Sequence, residues 1–166
     1  MCCNIYAMKK TLFILISLFI GLSVYAQSAD VITEMLDAEQ ATFGQISYLA
    51  AVQKELITED ASYDAAVQAL YDNGIIPDSE DPTAPIPLVD IVYIYSRLWQ
   101  VKGGLMFRIT KGSPRYAFRQ FQADGIISSK QEPSDYITGA KALIIYSSCL
   151  SKYGNLDVST VSMESE

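Results

Sequence analysis

The sequence contains no histidine among its 166 residues. This excludes a Ser–His–Asp triad, a histidine metal ligand and the side chain that most often acts as a general base near neutral pH. The sequence also lacks a glycine-rich phosphate-binding loop, a paired-cysteine metal motif and the Gly-x-Ser-x-Gly turn of hydrolases. We therefore expect a protein that is not an enzyme and that holds no cofactor and no metal.

The sequence also lacks an apolar run long enough to span a membrane. Two lysines after Met8 precede an apolar stretch over residues 12–24, shorter than the roughly 20 residues that a spanning helix needs. The stretch leads to Ala26 through a small-residue pattern typical of signal-peptide cleavage. Residues 1–26 are thus predicted to be a signal peptide that starts at Met8, with an uncleaved anchor as the alternative. We expect an exported protein, periplasmic or associated with the cell envelope, with no stable membrane span after cleavage.

Cysteine is scarce, with three residues in all. Cys2 and Cys3 precede the predicted signal peptide start, which leaves Cys149 alone in the mature chain. One thiol cannot form an internal disulfide, so the core has to stabilise the fold. Because Cys149 lies in an apolar helical stretch, we expect it to be buried and unreactive.

Acidic residues are missing from one part of the chain, residues 91–123, although the net charge is −7. Removal of the two leader lysines takes the net charge to −9 (−7 − 2), which argues against binding nucleic acid or an anionic membrane through bulk charge. Residues 27–90 contain 13 acidic residues and Lys54 as their one base. Residues 91–123, here called the basic segment, contain six bases: Arg97, Lys102, Arg108, Lys111, Arg115 and Arg119.

An internal repeat of 51 residues organises the mature chain. Residues 62–103 align with residues 113–154 without a gap, and 11 of the 42 positions are identical, where chance would give roughly 3. Both copies place Gly-Ile-Ile after a helical pattern, beginning at Gly74 and at Gly125. Each copy is therefore predicted to be helix, loop, helix, with the glycine in the left-handed conformation that ends the first helix.

The repeat predicts an all-α fold with one domain over residues 27–154. Its parts are a partial copy (33–57), two complete copies (62–104 and 113–154) and, after the domain, a flexible tail (155–166). Residues 32–57 are predicted to form one long helix in which Glu39 corresponds to Asp90. The stretch from Gly103 to Ser113 predicts a short extended connector or hairpin between the complete copies.

This pattern resembles the S-layer homology family, whose repeats have a Gly-Ile-Ile turn, a proline-containing acidic loop and a second helix beginning Ile-Thr-Arg-Ala-Glu. At that place this sequence has "IPLVD" at 86–90, "ITGAK" at 137–141 and, in the partial copy, "MLDAE" at 35–39. None of the three keeps the arginine that the family directs toward its anionic ligand. The resemblance implies a pseudo-threefold helical bundle that binds cell-wall polysaccharide. The alternative is an envelope subunit that has lost polymer binding and contacts a protein partner instead.

The basic segment is the candidate ligand site. Arg115 and Arg119 are four residues apart on one helix face, and the Ser113-Pro114 start adds the positive end of the helix dipole. The predicted ligand-binding residues are the six bases together with Trp99 and Tyr116 as apolar platforms. Two alternatives stay open. The bases could balance the acidic loops through surface pairs worth about 0–1 kcal/mol each, and the aromatic residues could belong to the core.

Overall fold

The structure is a computed structural model that describes residues 30–154. The predicted signal peptide and the predicted tail lie outside these residues. Within them the chain forms helices and no strand, so the all-α prediction is confirmed. The helices are α1 (30–37), α2 (Phe43–Gln53), α3 (Tyr63–Asp72), α4 (Leu88–Leu98), α5 (Leu105–Ile109), α6 (Pro114–Ala123) and α7 (Gly139–Tyr153).

Local sequence signals explain several of the helix starts. Thr42 and Gln45 form a reciprocal capping box at the start of α2, in which each side chain accepts a hydrogen bond from the other residue's backbone N–H. The Ser62 hydroxyl accepts from the N–H of Ala65 in α3, and the Thr138 hydroxyl accepts from the N–H of Lys141 in α7.

The helix bounds follow the 51-residue offset of the sequence. Both ends of α6 lie 51 residues after those of α3, and α7 begins 51 residues after α4. Gly74 and Gly125 follow α3 and α6 with φ angles of 64° and 74°, which confirms the predicted left-handed caps. Ile76 and Ile127 then turn into the core and are 5% and 4% exposed.

The prediction of one helix over residues 32–57 is wrong. The chain turns after α1, and Thr42 starts a new helix through its capping box, so α1 and α2 are separate. As a result α2 begins 45 residues before α4, not 51. Glu39 lies in the turn ahead of α2, whereas Asp90 lies in the first turn of α4, so the predicted correspondence of these two residues is also wrong.

The predicted extended connector is a helix. Leu105–Ile109 form the short helix α5, made mostly of residue types with good helix propensity. The Thr110 hydroxyl donates back to the Met106 carbonyl at 2.8 Å and helps to close this turn. The sequence around Phe107 resembled the alternating pattern of a strand, because Phe107 packs inward while its neighbours on both sides are exposed.

The core lies where the segments ahead of α2, α4 and α7 meet. The Ala41 N–H donates to the Ile137 carbonyl at 2.8 Å, and the Ile86 N–H donates to the Ala41 carbonyl at 3.0 Å. Ile86 and Leu88 are fully buried there. Around this centre α2 packs against α3, and α4 packs against α6 and contacts both α2 and α7. The basic segment therefore starts on the central helix and continues onto the outside of the molecule.

Candidate functional site

All six bases of the basic segment are exposed. Among residues 30–154, the ion pair closer than 4.0 Å is Lys152–Asp124, and it involves none of the six. The alternative that these bases neutralise the acidic loops through close ion pairs thus gains no support from the described residues. Their charges face solvent and are available to a partner.

Arg119 and Tyr116 are brought together in a groove between α5 and α6. The groove has a volume of about 290 Å³, and Phe107 and Gln120 also line it. Arg115 lies one turn before Arg119 on the same helix and is exposed, as the spacing predicted. Pro114 occupies the first turn of α6, although the Ser113 side chain makes no capping hydrogen bond.

A hydrogen bond to α6 and the packing of Phe107 against the core hold α5 in place. Phe107 lies between Gly103 and Gly112, where added Cβ atoms would come within 2.5 Å and 3.0 Å of its ring. The Gly104 N–H donates to Gln120 Oε1 of α6 at 3.1 Å. These contacts leave the other side of α5 in solvent, where Leu105, Met106 and Ile109 are 70%, 55% and 64% exposed.

Arg97 lies apart from this groove. Its guanidinium group is 5.4 Å from the centre of the Tyr93 ring and within 3.2 Å of the Tyr93 hydroxyl. It lines a depression of about 350 Å³ together with Lys54 and Gly74. The basic segment therefore provides two separate places with exposed positive charge, and the sequence could not show this division.

Trp99 belongs to an aromatic cluster. Its ring makes edge contacts with Tyr95 at 5.5 Å and with Tyr146 at 5.1 Å between ring centres. Tyr146 in turn donates its hydroxyl to Gln53 Oε1 at 2.7 Å. The cluster packs the half-buried Trp99 against the core, as in the second interpretation of the sequence, although it also lines a depression of about 200 Å³ with Gln53 and Lys54. Trp99 does not line the groove at Tyr116.

The remaining three bases lie within α5 or close to it in the sequence and line none of the depressions described above. They are Lys102, Arg108 and Lys111. Lys102 precedes α5, Arg108 lies in its last turn, and Lys111 follows it with a φ of 53°. What the sequence interpretation missed is the exposed apolar face between them. The signal was present as Leu105, Met106 and Ile109 at i, i+1 and i+4, but it was interpreted as part of an extended connector.

Cys149 is fully buried. Burial raises the pKa of its thiol to about 12, and the carboxylate of Asp124 acts in the same direction. Since the thiolate is the nucleophilic form, this residue is unsuited to nucleophilic attack at neutral pH.

A second open surface lies along α7. Its groove has a volume of about 650 Å³ and is lined on one side by Leu143, Ile144 and Ser147 of α7 and on the other by Leu36 of α1 and Ile126. Leu36 and Ile144 are 53% and 66% exposed. No basic-segment residue lines this groove.

Comparisons with known proteins add no family. No protein-family model matches the sequence, and no curated protein is similar to it.

Within residues 30–154, no helix has both the length and the apolar character to cross a membrane. In the same part of the chain, no group of three or more acidic or cysteine side chains is placed to hold a metal ion.

Proposed function

We propose that the chain is an exported, non-catalytic module of the cell envelope that binds an anionic cell-wall or envelope polymer through its basic segment. The observation that carries this proposal is the set of six exposed bases, none of them in a close ion pair among the described residues. Arginine guanidinium groups bind phosphate or carboxylate with two parallel hydrogen bonds. The groove at Arg119 and Tyr116 combines such a group with an aromatic ring.

The resemblance to the S-layer homology family belongs to this proposal. It is supported by the helix bounds at the 51-residue offset, by the two left-handed glycine caps and by the meeting of the segments ahead of α2, α4 and α7. In a pseudo-threefold bundle the third family motif would be "ATFGQ" at 41–45, directly ahead of and into α2. The family arginine is replaced there by Phe43, so the anionic ligand would be held by the basic segment instead.

Sedimentation of the mature protein (residues 27–166) with purified cell-wall sacculi tests the proposal. We expect co-sedimentation at low salt that weakens as salt shortens the screening length from about 10 Å at 0.1 M to about 3 Å at 1 M. Arg115→Ala combined with Arg119→Ala should remove most of it. The matched control is Lys130→Ala combined with Lys141→Ala, which removes two exposed charges outside the basic segment. No co-sedimentation at low salt, or an equal loss in the control, would sink the polymer-binding proposal.

The groove on α7 favours a second candidate, a protein-interaction subunit of an envelope complex. Val92 and Ser96 are buried on α4, which packs against α6. The residues 51 positions later on α7 are Leu143, which is half-buried, and Ser147, which is exposed, and both line the open groove. The suitable occupant is a partner helix of the same amphipathic type as α6.

A labelled peptide of residues 113–127, which contains α6 and its cap, tests this second candidate by fluorescence anisotropy. We expect saturable binding to the mature protein that Ile144→Glu removes. Ile109→Glu serves as the control, because Ile109 is similarly exposed but lies on α5. Binding that Ile144→Glu leaves unchanged, or no saturable binding at all, removes the candidate.

A further inference from the structure

The outer side of α5 is an exposed apolar face. With about 100° between successive helix residues, Leu105, Met106 and Ile109 fall within one arc of roughly 100°, opposite Phe107. They are three of the eight large hydrophobic side chains that are exposed among the described residues, and they lie within five positions of one another. Exposed apolar side chains grouped in this way mark a contact surface more often than scattered ones do.

Positive charge surrounds this face. Lys102 lies three residues before Leu105, Arg108 lies within α5, and Lys111 follows Ile109 by two residues. All three bases are exposed, none is in a close ion pair within the described part of the chain, and no acid occurs anywhere in residues 91–123. The combination of an apolar face with a positive border is complementary to one kind of surface, an anionic lipid bilayer, where acyl chains lie beneath phosphate groups.

We propose that α5 is a membrane-contact element whose apolar face enters the headgroup region of an anionic bilayer while Lys102, Arg108 and Lys111 contact lipid phosphates. This goes beyond the proposed function, since a polymer held by the bases and by the groove at Arg119 and Tyr116 has no use for Ile109, which does not line that groove. The contact is interfacial, because a five-residue helix is about 7.5 Å long and cannot span a bilayer.

The backbone of α5 suits this environment. The Arg108 N–H donates to the Gly104 carbonyl at 3.1 Å and the Thr110 N–H donates to the Met106 carbonyl at 3.0 Å, so these groups are already paired. Phe107 and the Gly104–Gln120 hydrogen bond hold the helix in place. The apolar face is therefore presented without a prior conformational change.

The negative charge of the whole chain does not prevent this contact. At physiological salt the screening length is about 8 Å, so the charges that matter are those beside the bilayer. For α5 these are the bases of its own segment. The net charge of the mature chain, −9 (−7 − 2), repels anionic membranes from the rest of the surface, so the protein approaches them only through this side.

Vesicle sedimentation of the mature protein (residues 27–166) tests the inference, with phosphatidylglycerol–phosphatidylcholine vesicles against pure phosphatidylcholine vesicles. We expect binding to the anionic vesicles only. Leu105→Ser with Ile109→Ser should weaken binding about tenfold or more, because each buried methylene adds to the affinity. Lys102→Gln with Arg108→Gln should weaken it about fivefold for each charge removed.

The matched control is Leu36→Ser with Ile144→Ser, which removes two comparably exposed apolar side chains from the α7 groove. It should leave vesicle binding unchanged, and since all the substituted residues are exposed, circular dichroism should show every variant folded. Absence of binding to anionic vesicles, or an equal loss in the control, overturns the inference.

The sacculi experiment separates this inference from the proposed function. The Ile109→Ser variant, at a residue that does not line the groove at Arg119 and Tyr116, should weaken vesicle binding and keep co-sedimentation with sacculi. Sacculi binding without vesicle binding overturns the membrane contact and leaves the polymer proposal in place. Vesicle binding without sacculi binding overturns the polymer proposal and leaves the membrane contact in place. Absence of both kinds of binding overturns both proposals.

Discussion

At the scale of single residues, Gly139 shows how closely two helices approach. It is the first residue of α7, its N–H donates to the Ala38 carbonyl at 3.1 Å, and a Cβ built on it would overlap the Met35 carbonyl oxygen. A side chain there would force the end of α1 away from α7. Under the proposed resemblance to the S-layer homology motif this position corresponds to an arginine, and the contact gives a physical reason why no side chain fits here.

We therefore expect Gly139→Ala to lower the free energy of unfolding by about 1–3 kcal/mol, the usual range for overpacking a close contact. Urea denaturation of the mature protein measures it. Gly104→Ala is the control, because a Cβ on Gly104 meets nothing within 4 Å, and its cost should not exceed the roughly 0.5–1 kcal/mol of alanine in place of glycine at a helix N-cap. Equal effects of the two substitutions would contradict the close contact at Gly139.

Cys149 gives a prediction about chemical reactivity. Its thiol is fully buried and burial raises its pKa to about 12, so it stays neutral at about pH 8.5, where a free thiol is half ionised. Iodoacetamide should leave the folded mature protein unmodified at that pH and modify Cys149 fully in denaturant, as mass spectrometry would show. Rapid modification of the folded protein would mean that the α7 side of the core opens readily.

At the scale of helices, Asp124 joins the ends of α6 and α7. The Tyr153 hydroxyl and the Gln120 amide donate to its carboxylate at 2.5 Å and 3.0 Å, and the Lys152 ammonium lies 3.5 Å away. Burial acts to raise the pKa of Asp124, but the hydrogen bonds from Tyr153 and Gln120 and the charge of Lys152 outweigh it, so the pKa is lowered. The folded protein thus favours the ionised carboxylate more than the unfolded chain does.

The stabilisation by Asp124 is accordingly complete above the usual carboxyl pKa of about 4 and is lost as the pH falls through the lower folded value. Asp124→Asn should cost about 1.5–3 kcal/mol at pH 7, the range for hydrogen bonds to a charged group. The difference from the native protein should shrink below about pH 4.

Thermal unfolding followed across that pH range measures the effect. Asp72→Asn is the control, because Asp72 is exposed and accepts one side-chain hydrogen bond, from Gln68. A difference between Asp124→Asn and the native protein that does not change with pH would contradict the role of the ionised carboxylate.

The helices also show what local sequence can and cannot predict. Capping residues such as Thr138 and the glycines after α3 and α6 made those helix ends predictable, because their chemistry is local. The short helix α5 has no such signal. Its position depends on the hydrogen bond from Gly104 to Gln120 of α6 and on the packing of Phe107 against the core, which exist only in the folded chain.

Part of the candidate site could also be predicted from the sequence, and part of it could not. The uneven distribution of charge made the basic segment predictable as a group of exposed bases, since no acid occurs in it to pair with them. The separation of Arg97 from Arg119 depends on how α4 and α6 pack and was not predictable. The contacts of Trp99 with Tyr95 and Tyr146, which favour its interpretation as part of the core, likewise depend on how α4 and α7 pack.

At the scale of the whole molecule, the packing of the described helices depends on one central contact between three segments. The segments ahead of α2, α4 and α7 exchange backbone hydrogen bonds, with Ala41 linked to both Ile137 and Ile86. These residues are far apart in the sequence, so the centre forms only when all three segments are in place. The 45-residue offset of α2 was missed although Thr42 and Gln45 carry a capping-box pattern in the sequence, because the 51-residue repeat favoured another register.

Ile86 lies at that centre with 0% exposure, and its N–H donates to the Ala41 carbonyl at 3.0 Å. Ile86→Ala should cost about 2–5 kcal/mol, the range for removing a large buried aliphatic side chain. If the three segments unfold as one unit, the dependence of the unfolding free energy on denaturant concentration stays that of the native protein, and only the denaturant concentration at the midpoint falls. Ile144→Ala, at an aliphatic position that is 66% exposed, should change stability by less than about 0.5 kcal/mol.

Amide hydrogen exchange gives an independent measurement of the same centre. The N–H groups of Ala41, Ile86 and Leu88 are all donors in these inter-segment bonds, so they should exchange with one free energy, equal to that of global unfolding. Ile86→Ala should lower the exchange free energies of all three N–H groups by the same amount. Separate exchange free energies, or a reduction confined to Leu88 and α4, would show that the repeats unfold independently and that the centre does not hold them together.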